Sequence, residues 1–162
     1  MFLTNNNKYM NKEKALNLMS SICSKKEYCE FDIRKKLKKY SLLENEIIDI
    51  INFLKKNKFL DENRFANAYV RDKCKFNNWG KFKISTMLGS KHVPESIIAK
   101  ALENISDKEY ADICLRVLII KSRSLKEPDK LLKKNKLISF AMGKGFSYDI
   151  IKIQLSRLES NL

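Results

Sequence analysis

Apolar residues recur at one fixed spacing in three successive stretches of this 162-residue chain. When Leu37, Leu88 and Ala141 are aligned, further apolar residues follow five, ten, fourteen and seventeen positions later in every stretch. These positions hold Leu42, Val93 and Phe146, then Ile47, Ile98 and Ile151, then Ile51, Leu102 and Leu155, and finally Leu54, Ile105 and Leu158. The last two steps, of four and three residues, keep apolar side chains on one face of a helix. The chain is therefore predicted to repeat one helical unit three times.

Each repeat is predicted to hold three helices, of which the first begins near Ala15, Phe65 or Tyr110. The third repeat needs an insertion of about eight residues, within 121–136, to stay in register. Only four Gly and two Pro favour helices with short connections. Because one such unit cannot bury a full apolar face alone, we expect an all-α fold of stacked repeats in an elongated, curved array. The predicted segments are a flexible N-terminus at 1–11 and repeats at 12–60, 61–106 and 107–162.

Capping and turn residues support these helices. Helix starts are predicted at polar residues and at one proline in the first helical position: Asp61, Pro94, Asp107 and Ser147. Ser41, His92 and Gly145 directly precede the aligned residues Leu42, Val93 and Phe146, in the turn between the second and third helices. A residue with left-handed backbone often ends a helix at such a position. The single histidine, His92, is therefore interpreted as a turn residue and not as a catalytic group or ligand.

The chain is strongly basic, with 33 Lys plus Arg against 19 Asp plus Glu and a formal net charge of +14. Such a charge attracts polyanions, so nucleic acid, an acidic protein groove and an anionic membrane surface are candidate partners. An alternative interpretation attributes part of this composition to a coding bias that favours Lys, Ile and Asn. Clustered cations would argue against that alternative more strongly than scattered ones.

The chain shows no pattern typical of a metal site, a disulfide framework or an enzyme. Its cysteines form no C-x-x-C pair and are predicted to pack as small apolar residues in a reducing compartment: Cys23, Cys29, Cys74 and Cys114. The sequence contains no H-E-x-x-H, P-loop or G-x-S-x-G motif, so we expect no enzyme activity, no metal and no cofactor. The N-terminus lacks an apolar leader and the longest apolar run is Val117 to Ile120, so a cytoplasmic protein is expected.

The stretch DENRFANAYVRDK, residues 61–73, separates apolar and basic residues on opposite helix faces. Phe65, Tyr69 and Val70 are predicted to be core. The basic face holds the candidate binding residues Arg64, Arg71 and Lys75. Arg suits phosphate or carboxylate because its planar fork donates two hydrogen bonds. In the alternative interpretation, Arg71 pairs with a carboxylate of a neighbouring repeat and Arg64 lays its stem on apolar surface.

Three further clusters are candidate binding residues. In FDIRKKLKKY, residues 31–40, Ile33, Leu37 and Tyr40 are predicted to be buried, whereas the exposed cations are Arg34, Lys35, Lys36, Lys38 and Lys39. Five cations this close repel one another unless an anion relieves them. The second cluster is Lys81 and Lys83 beside Trp79 and Phe82, where an aromatic ring could stack on an unpaired base, or Trp79 could instead fill a junction. The third comprises Lys121, Arg123, Lys126, Lys130, Lys133, Lys134 and Lys136.

Several of these segments resemble the RecX family, bacterial regulators of the RecA recombinase. The resemblance lies in ALNLMSSICSKKEYCEFDIRKKL, in FLKKNKFLDENRFANAYVRDK with WGKFKI and LGSKHVPESIIAKAL, and in KLISFAMGKGFSYDIIKIQL, and it covers roughly residues 12–158. It implies three tandem three-helix repeats in a mostly monomeric, non-catalytic protein. Such a protein would lie in the groove of a RecA filament on single-stranded DNA, limiting filament growth and suppressing recombinase and co-protease activity.

The chain departs from the family pattern at a few turn positions. Where the family usually has a Gly-Pro pair followed by a basic pair, this chain has Gly80-Lys81 followed by Phe82 and Lys83. The family's acidic residue is replaced by Met87, and its turn glycines in the first two repeats are replaced by Ser41 and His92. Two other hypotheses remain open beside a RecA-filament regulator. One is a general helical nucleic-acid-binding protein with weak, sequence-indifferent DNA binding. The other is a protein-only scaffold.

Overall fold

A computed structural model describes residues 10–160, and all regular secondary structure in that part is helical. The helices are α1 (Lys12–Lys25), α2 (Glu30–Leu37), α3 (Glu44–Lys56), α4 (Glu62–Lys75), α5 (Lys81–Gly89), α6 (Glu95–Glu103), α7 (Asp107–Ser124), α8 (Lys130–Gly143) and α9 (Tyr148–Ser160). The prediction of an all-α fold is confirmed. The proposed repeat boundaries at 60/61 and 106/107 stay a prediction. Residues 1–9 of the predicted flexible N-terminus lie outside the described range.

Polar caps explain where several helices begin. The side-chain oxygens of Asn11, Asp61, Ser106 and Asp129 each accept a hydrogen bond from a backbone N–H in the first turn of α1, α4, α7 or α8, at 2.8–3.2 Å. α7 begins at Asp107, as predicted, and its cap is Ser106. Pro94 precedes the first residue of α6, whereas the sequence placed it inside the helix. Ser147 directly precedes α9, as predicted.

Two helices differ in length from the simple repeat. α2 ends at Leu37, so Lys38 and Lys39 lie in a turn and Tyr40 is only half-buried, contrary to the prediction. In the third repeat, α7 has 18 residues against 14 in both α1 and α4, and α8 has 14 against 8 in α2 and 9 in α5. The predicted insertion is thus absorbed largely by longer helices, and residues 125–129 form the connection between them.

Within the described residues the chain divides into two compact units. The first unit holds residues 10–66 with Lys91–Val93, and the second holds 67–90 with 94–160. In the first unit, the core is built by the inward faces of α1, α2 and α3 and by one leucine in the connection between α3 and α4: Ala15, Met19, Cys23, Ile33, Leu37, Ile47, Ile50, Ile51, Leu54 and Leu60. In the second unit, α7 packs on both α8 and α9, and α5 packs on α6.

The first aligned position behaves alike in all three repeats, but the turn that follows it does not. Leu37, Leu88 and Ala141 are completely buried. His92 and Gly145 adopt positive φ angles of 59° and 94°, as the turn pattern predicted, but Ser41 does not. The left-handed turn is therefore a feature of the second and third repeats only.

The predicted core of α4 is confirmed at Phe65 and Val70 but is wrong at Tyr69, which is half-buried.

The four cysteines are buried and free, as expected for small apolar residues. Burial raises the pKa of Cys23 and Cys74 to about 11 and the pKa of Cys29 and Cys114 to about 12. They are therefore protonated thiols at neutral pH, which are weak nucleophiles and poor metal ligands.

Candidate nucleic-acid and protein interface

The cations around α2 divide into one that the fold uses and several that it leaves available. Arg34 is half-buried, because its guanidinium donates to Glu30 at 3.2 Å and also to Glu44. The prediction that Arg34 is exposed was therefore wrong. Lys36 lies with its Nζ 5.3 Å from the centroid of the Tyr28 ring, and Lys26 lies over the same ring at 5.7 Å.

Lys35, Lys38 and Lys39 form what we call the α2 basic patch. All three are exposed, and none pairs with a carboxylate within residues 10–160. They stand at the C-terminal end of α2, where the partial negative charge of the helix offsets their mutual repulsion. The fold therefore tolerates this cluster without a carboxylate partner.

Arg64 is committed to the first unit. Its Nε donates to Glu27 Oε1 at 2.9 Å and its Nη2 donates to the carbonyl of Lys58 at 2.8 Å. The bond to Glu27 raises the pKa of Arg64. Lys58 itself has a φ of 59°, so the arginine also ties down a left-handed turn. A structural role for Arg64 is thus visible, although its side chain remains partly accessible.

A carboxylate of α4 accepts a hydrogen bond from the first backbone N–H of α2. The N–H of Glu30 donates to Glu62 Oε1 at 2.6 Å, while the Glu30 carboxylate pairs with Lys55 at 2.5 Å. Hydrogen bonds from Lys55 and Arg34 lower the pKa of Glu30, with the Lys55 bond as the larger cause. Burial raises the pKa of Glu62. This network fixes the start of α2, and therefore the orientation of the α2 basic patch.

The cations of α4 in the second unit make weak contacts. Arg71 Nε lies 3.4 Å from Asp72, its neighbour in the chain, and not opposite a carboxylate of another repeat. Lys75 Nζ lies 3.7 Å from Glu109 on α7. Both side chains are more than half exposed, at 64% for Arg71 and 52% for Lys75, so these pairs add little stability and leave the cations accessible.

Around the start of α5, aromatic rings hold lysines in place. Lys73 and Lys83 lie with their Nζ atoms 5.1 Å and 4.7 Å from the Trp79 ring, and Lys81 lies 5.0 Å from the Tyr110 ring. Trp79 is half-buried and supports ammonium groups, a role the sequence did not distinguish from base stacking or a junction plug.

The third cluster extends from α7 into α8. Lys121 Nζ lies 4.9 Å from the Phe140 ring, whereas Lys134 pairs with Glu159 at 3.3 Å and Lys136 pairs with Glu127. Within the described residues, no carboxylate pairs with four other members of the cluster, namely Arg123, Lys126, Lys130 and Lys133. This unit therefore also carries cations that are free for an external anion.

Sequence reasoning missed three lysines, each of which lies over an aromatic ring that one of the predicted binding lysines also contacts. Lys26, Lys73 and Lys144 complete such pairs over Tyr28, Trp79 and Phe140 respectively. One sequence feature could have found two of these rings. Tyr28 and Trp79 both stand nine residues before the aligned leucine of their repeat, so the repeat alignment itself places an aromatic ring there.

Two other kinds of site are absent from the described part of the chain. No group of His, Cys, Asp and Glu side chains in residues 10–160 is arranged to hold a metal ion. None of the helices of that part is long and apolar enough to cross a bilayer.

Comparison with known proteins identifies relatives of this chain. Residues 61–102 match the family model described as "RecX, second three-helix domain". A protein named "Regulatory protein RecX" from Clostridium botulinum is 35% identical over 125 residues, covering 76% of this chain and 58% of the relative. Its namesake from Clostridium acetobutylicum is 34% identical over 126 residues, with coverages of 75% and 58%. The chain thus spans a little under three fifths of the length of these relatives.

Solved structures share the fold. The crystal structure of RecX from Lactobacillus salivarius superposes with a TM-score of 0.80 at 24% identity, covering 91% of this chain and 96% of that one. A crystal structure of regulatory protein RecX gives 0.82 at 24% identity, with coverages of 90% and 71%. These structures show the fold alone, whereas the matched second domain and the sequence relatives show that the chain belongs to the RecX family.

Proposed function

We propose that this chain inhibits the RecA recombinase in DNA repair and recombination. In this proposal the chain acts as a monomer, binds the RecA filament on single-stranded DNA through its basic residues, and limits filament growth and activity. The family supports a regulatory role, since its relatives are named regulatory proteins. The RecX resemblance implies RecA as the partner.

The observation that carries the proposal is the α2 basic patch of three exposed lysines without carboxylate partners. Free cations gain more from an external anion than paired ones, because no existing ion pair has to break. Arg34 and Arg64 are less suited to this role, since acidic side chains of the first unit already hold them. We propose that these two arginines position the surface, and that the lysines of the α2 basic patch contact the filament.

The second unit supplies additional cations in the same proposal. Within residues 10–160, no carboxylate pairs with Arg123, Lys126 or Lys133. Lys81, Lys83 and Lys121 lie against aromatic rings that orient their ammonium groups. Arg71, Lys75 and Lys134 contribute through weak pairs that an approaching phosphate can replace. Each contact to a phosphate releases counterions, so binding should weaken as salt rises.

DNA-dependent ATP hydrolysis by the RecA of the same organism tests the proposal. We expect the chain to suppress hydrolysis at less than one molecule per recombinase, because a molecule in the filament affects several subunits. Undiminished hydrolysis at saturating chain would refute the proposed function.

Binding to bare duplex DNA separates this function from that of a general nucleic-acid binder. We expect weak, sequence-indifferent binding that fades steeply with salt. Tight and sequence-selective duplex binding, together with unaffected ATP hydrolysis, would assign the chain to the other class.

A further inference from the structure

We propose that Phe82 is a base-stacking residue that binds unpaired bases of single-stranded DNA, with Lys81 and Lys83 contacting the phosphates on either side. This inference rests on the proposed function, in which the chain meets single-stranded DNA. It goes further by naming the residue that recognises the bases and by excluding the more obvious candidate, Trp79.

Phe82 presents a bare aromatic ring to solvent at the start of α5. Its side chain is 75% exposed. No aromatic ring or ammonium group among residues 10–160 lies against it. Its backbone, by contrast, is fixed, since its N–H donates to the carbonyl of Gly145 at 3.2 Å. Because the backbone is already ordered, only side-chain rotation is lost when a planar base stacks on the exposed ring.

The two lysines beside Phe82 are held apart by other aromatic residues. Lys81 lies over Tyr110 at 5.0 Å, and Lys83 lies over Trp79 at 4.7 Å and near the carbonyl of Gly143 at 3.5 Å. Successive helix residues point about 100° apart, so the two lysines leave α5 on opposite sides of Phe82. This arrangement is complementary to single-stranded DNA, since the ring can stack on a base while the two ammonium groups contact the phosphates on either side of it.

Two other groups in this region are excluded as the contact. Trp79 is half-buried and already carries Lys73 and Lys83 on its ring, so a base would have to displace an ammonium group to stack there. Three N–H groups at the start of α5 are also already engaged. The N–H groups of Gly80, Lys81 and Phe82 donate to the carbonyl of Lys144, to the Tyr110 hydroxyl and to the carbonyl of Gly145. Side chains must therefore make the contacts.

The second unit contains a matched control. Phe76 is 79% exposed, and it follows Lys75, whose ammonium group lies near Glu109. It has the same chemistry and exposure as Phe82 but lacks the pair of oriented cations. If exposure alone brought bases to a ring, the two phenylalanines would behave alike.

The test titrates the chain, without recombinase, with an oligothymidylate of about ten nucleotides and with an abasic oligonucleotide of equal phosphate number. Trp79 is the only tryptophan and its ring contacts Lys83, so its fluorescence reports on this site. We expect Phe82→Ala to weaken oligothymidylate binding about tenfold and to leave abasic binding unchanged, as expected from the stacking energy of one base. Phe82→Tyr should restore binding, and Phe76→Ala should have no effect.

Several outcomes would overturn the inference. Equal weakening of both oligonucleotides, or no weakening, would show that Phe82 does not contact bases. Loss of RecA inhibition in Phe82→Ala with normal oligonucleotide binding would assign the ring to a protein contact instead. Because the titration contains no recombinase, a failure of the proposed RecA inhibition leaves this result standing, and the two ideas can fail separately.

Discussion

The turns at Lys91–Val93 and Lys144–Phe146 occupy equivalent places in the second and third repeats, and each packs against the start of a second helix. The first turn contacts the start of α2 within the first unit, and the second contacts the start of α5 within the second unit. Both contain a left-handed residue, His92 at a φ of 59° and Gly145 at 94°. The contacts that surround that residue are different.

Side chains make the first contact. Lys91 Nζ donates to both carboxylate oxygens of Asp32 at 2.7 and 2.8 Å, and both side chains are about three quarters covered. The ring of His92 lies 5.2 Å from that of Phe31. The first N–H of α2 donates to a carboxylate, that of Glu62.

Backbone atoms make the second contact. The N–H of Gly80 donates to the carbonyl of Lys144 at 2.8 Å, and a Cβ at Gly80 would collide with Gly145 backbone atoms. A Cβ at Gly145 would in turn collide with the backbone and Cβ of Lys83. The first N–H of α5 donates to a neutral hydroxyl, that of Tyr110.

We call each of these contacts a joint: the first is between the turn at Lys91–Val93 and the start of α2, and the second is between the turn at Lys144–Phe146 and the start of α5. Each joint includes the side chain that accepts the first N–H of its helix. The difference shows that one repeat pattern permits two kinds of joint. A joint of side chains accepts substitutions because long side chains can move, whereas a joint of backbone atoms requires glycine on both sides. The carboxylate of Glu62 also makes the first joint sensitive to pH, whereas the neutral hydroxyl of Tyr110 does not make the second joint so. The following substitutions test these differences in decreasing order of expected effect.

Gly80→Ala should be the most damaging substitution. The new methyl group would meet the carbonyl of Gly145 and the N–H of Phe146, and separating them would break two backbone hydrogen bonds. We expect the free energy of unfolding, measured in urea, to fall by about 3 to 4 kcal/mol. Gly89→Ala is the control, since nothing lies near its Cβ position, and it should leave stability equal or slightly higher. Similar losses in both variants would contradict the backbone joint.

Gly145→His copies the first turn into the second. The histidine would need a left-handed backbone at a φ of 94° and would press against Lys83. We expect a loss of about 2 to 3 kcal/mol in the same urea experiment. Stability equal to that of the wild type would show that the second turn has room for a side chain.

His92→Gly is the reverse exchange and should have a small effect. Glycine relieves the left-handed backbone but loses the ring contact with Phe31 and adds freedom to the unfolded chain. These terms oppose one another, so the free energy of unfolding should change by less than about 1 kcal/mol. A loss as large as that of Gly145→His would remove the distinction between the two turns.

Glu62→Gln tests the pH sensitivity of the first joint. The pKa of Glu62 is raised above its ordinary value of 4.5, so the folded chain binds its proton more tightly than the unfolded chain does. Its contribution to stability is therefore present at low pH and is lost as pH rises through the folded pKa. Unfolding measured from pH 7 downwards should show the wild type gaining stability relative to Glu62→Gln.

The second joint supplies the comparison for that experiment. Burial also raises the pKa of Tyr110, which keeps the hydroxyl neutral throughout this range. Tyr110→Phe should therefore cost about 1 kcal/mol independently of pH. A pH-independent difference for Glu62→Gln, or a pH-dependent one for Tyr110→Phe, would contradict the assignment.

The parts of the fold that depend on local spacing could be predicted from the sequence. Leu37, Leu88 and Ala141 were placed in the core by their periodicity, and all three are buried. His92 and Gly145 were placed in left-handed turns by their position alone. Such features follow from helix geometry, which the chain carries in its immediate sequence.

The partners of charged side chains could not be predicted in this way. Arg34 was expected to face solvent, but it bonds to Glu44, ten positions away, and Arg64 bonds to Glu27, 37 positions away. Helix periodicity gives the face of a residue but does not specify which element packs opposite it.

Charge reversal in the α2 basic patch most directly tests the claim that a local set of free cations inhibits RecA. We predict that a variant with Glu at Lys35, Lys38 and Lys39 needs at least about tenfold more protein for half-inhibition of ATP hydrolysis. The control with Glu at the exposed lysines Lys14, Lys25 and Lys56 has the same net charge and should change this concentration by less than about threefold. Equal effects of the two folded variants would contradict a localised surface.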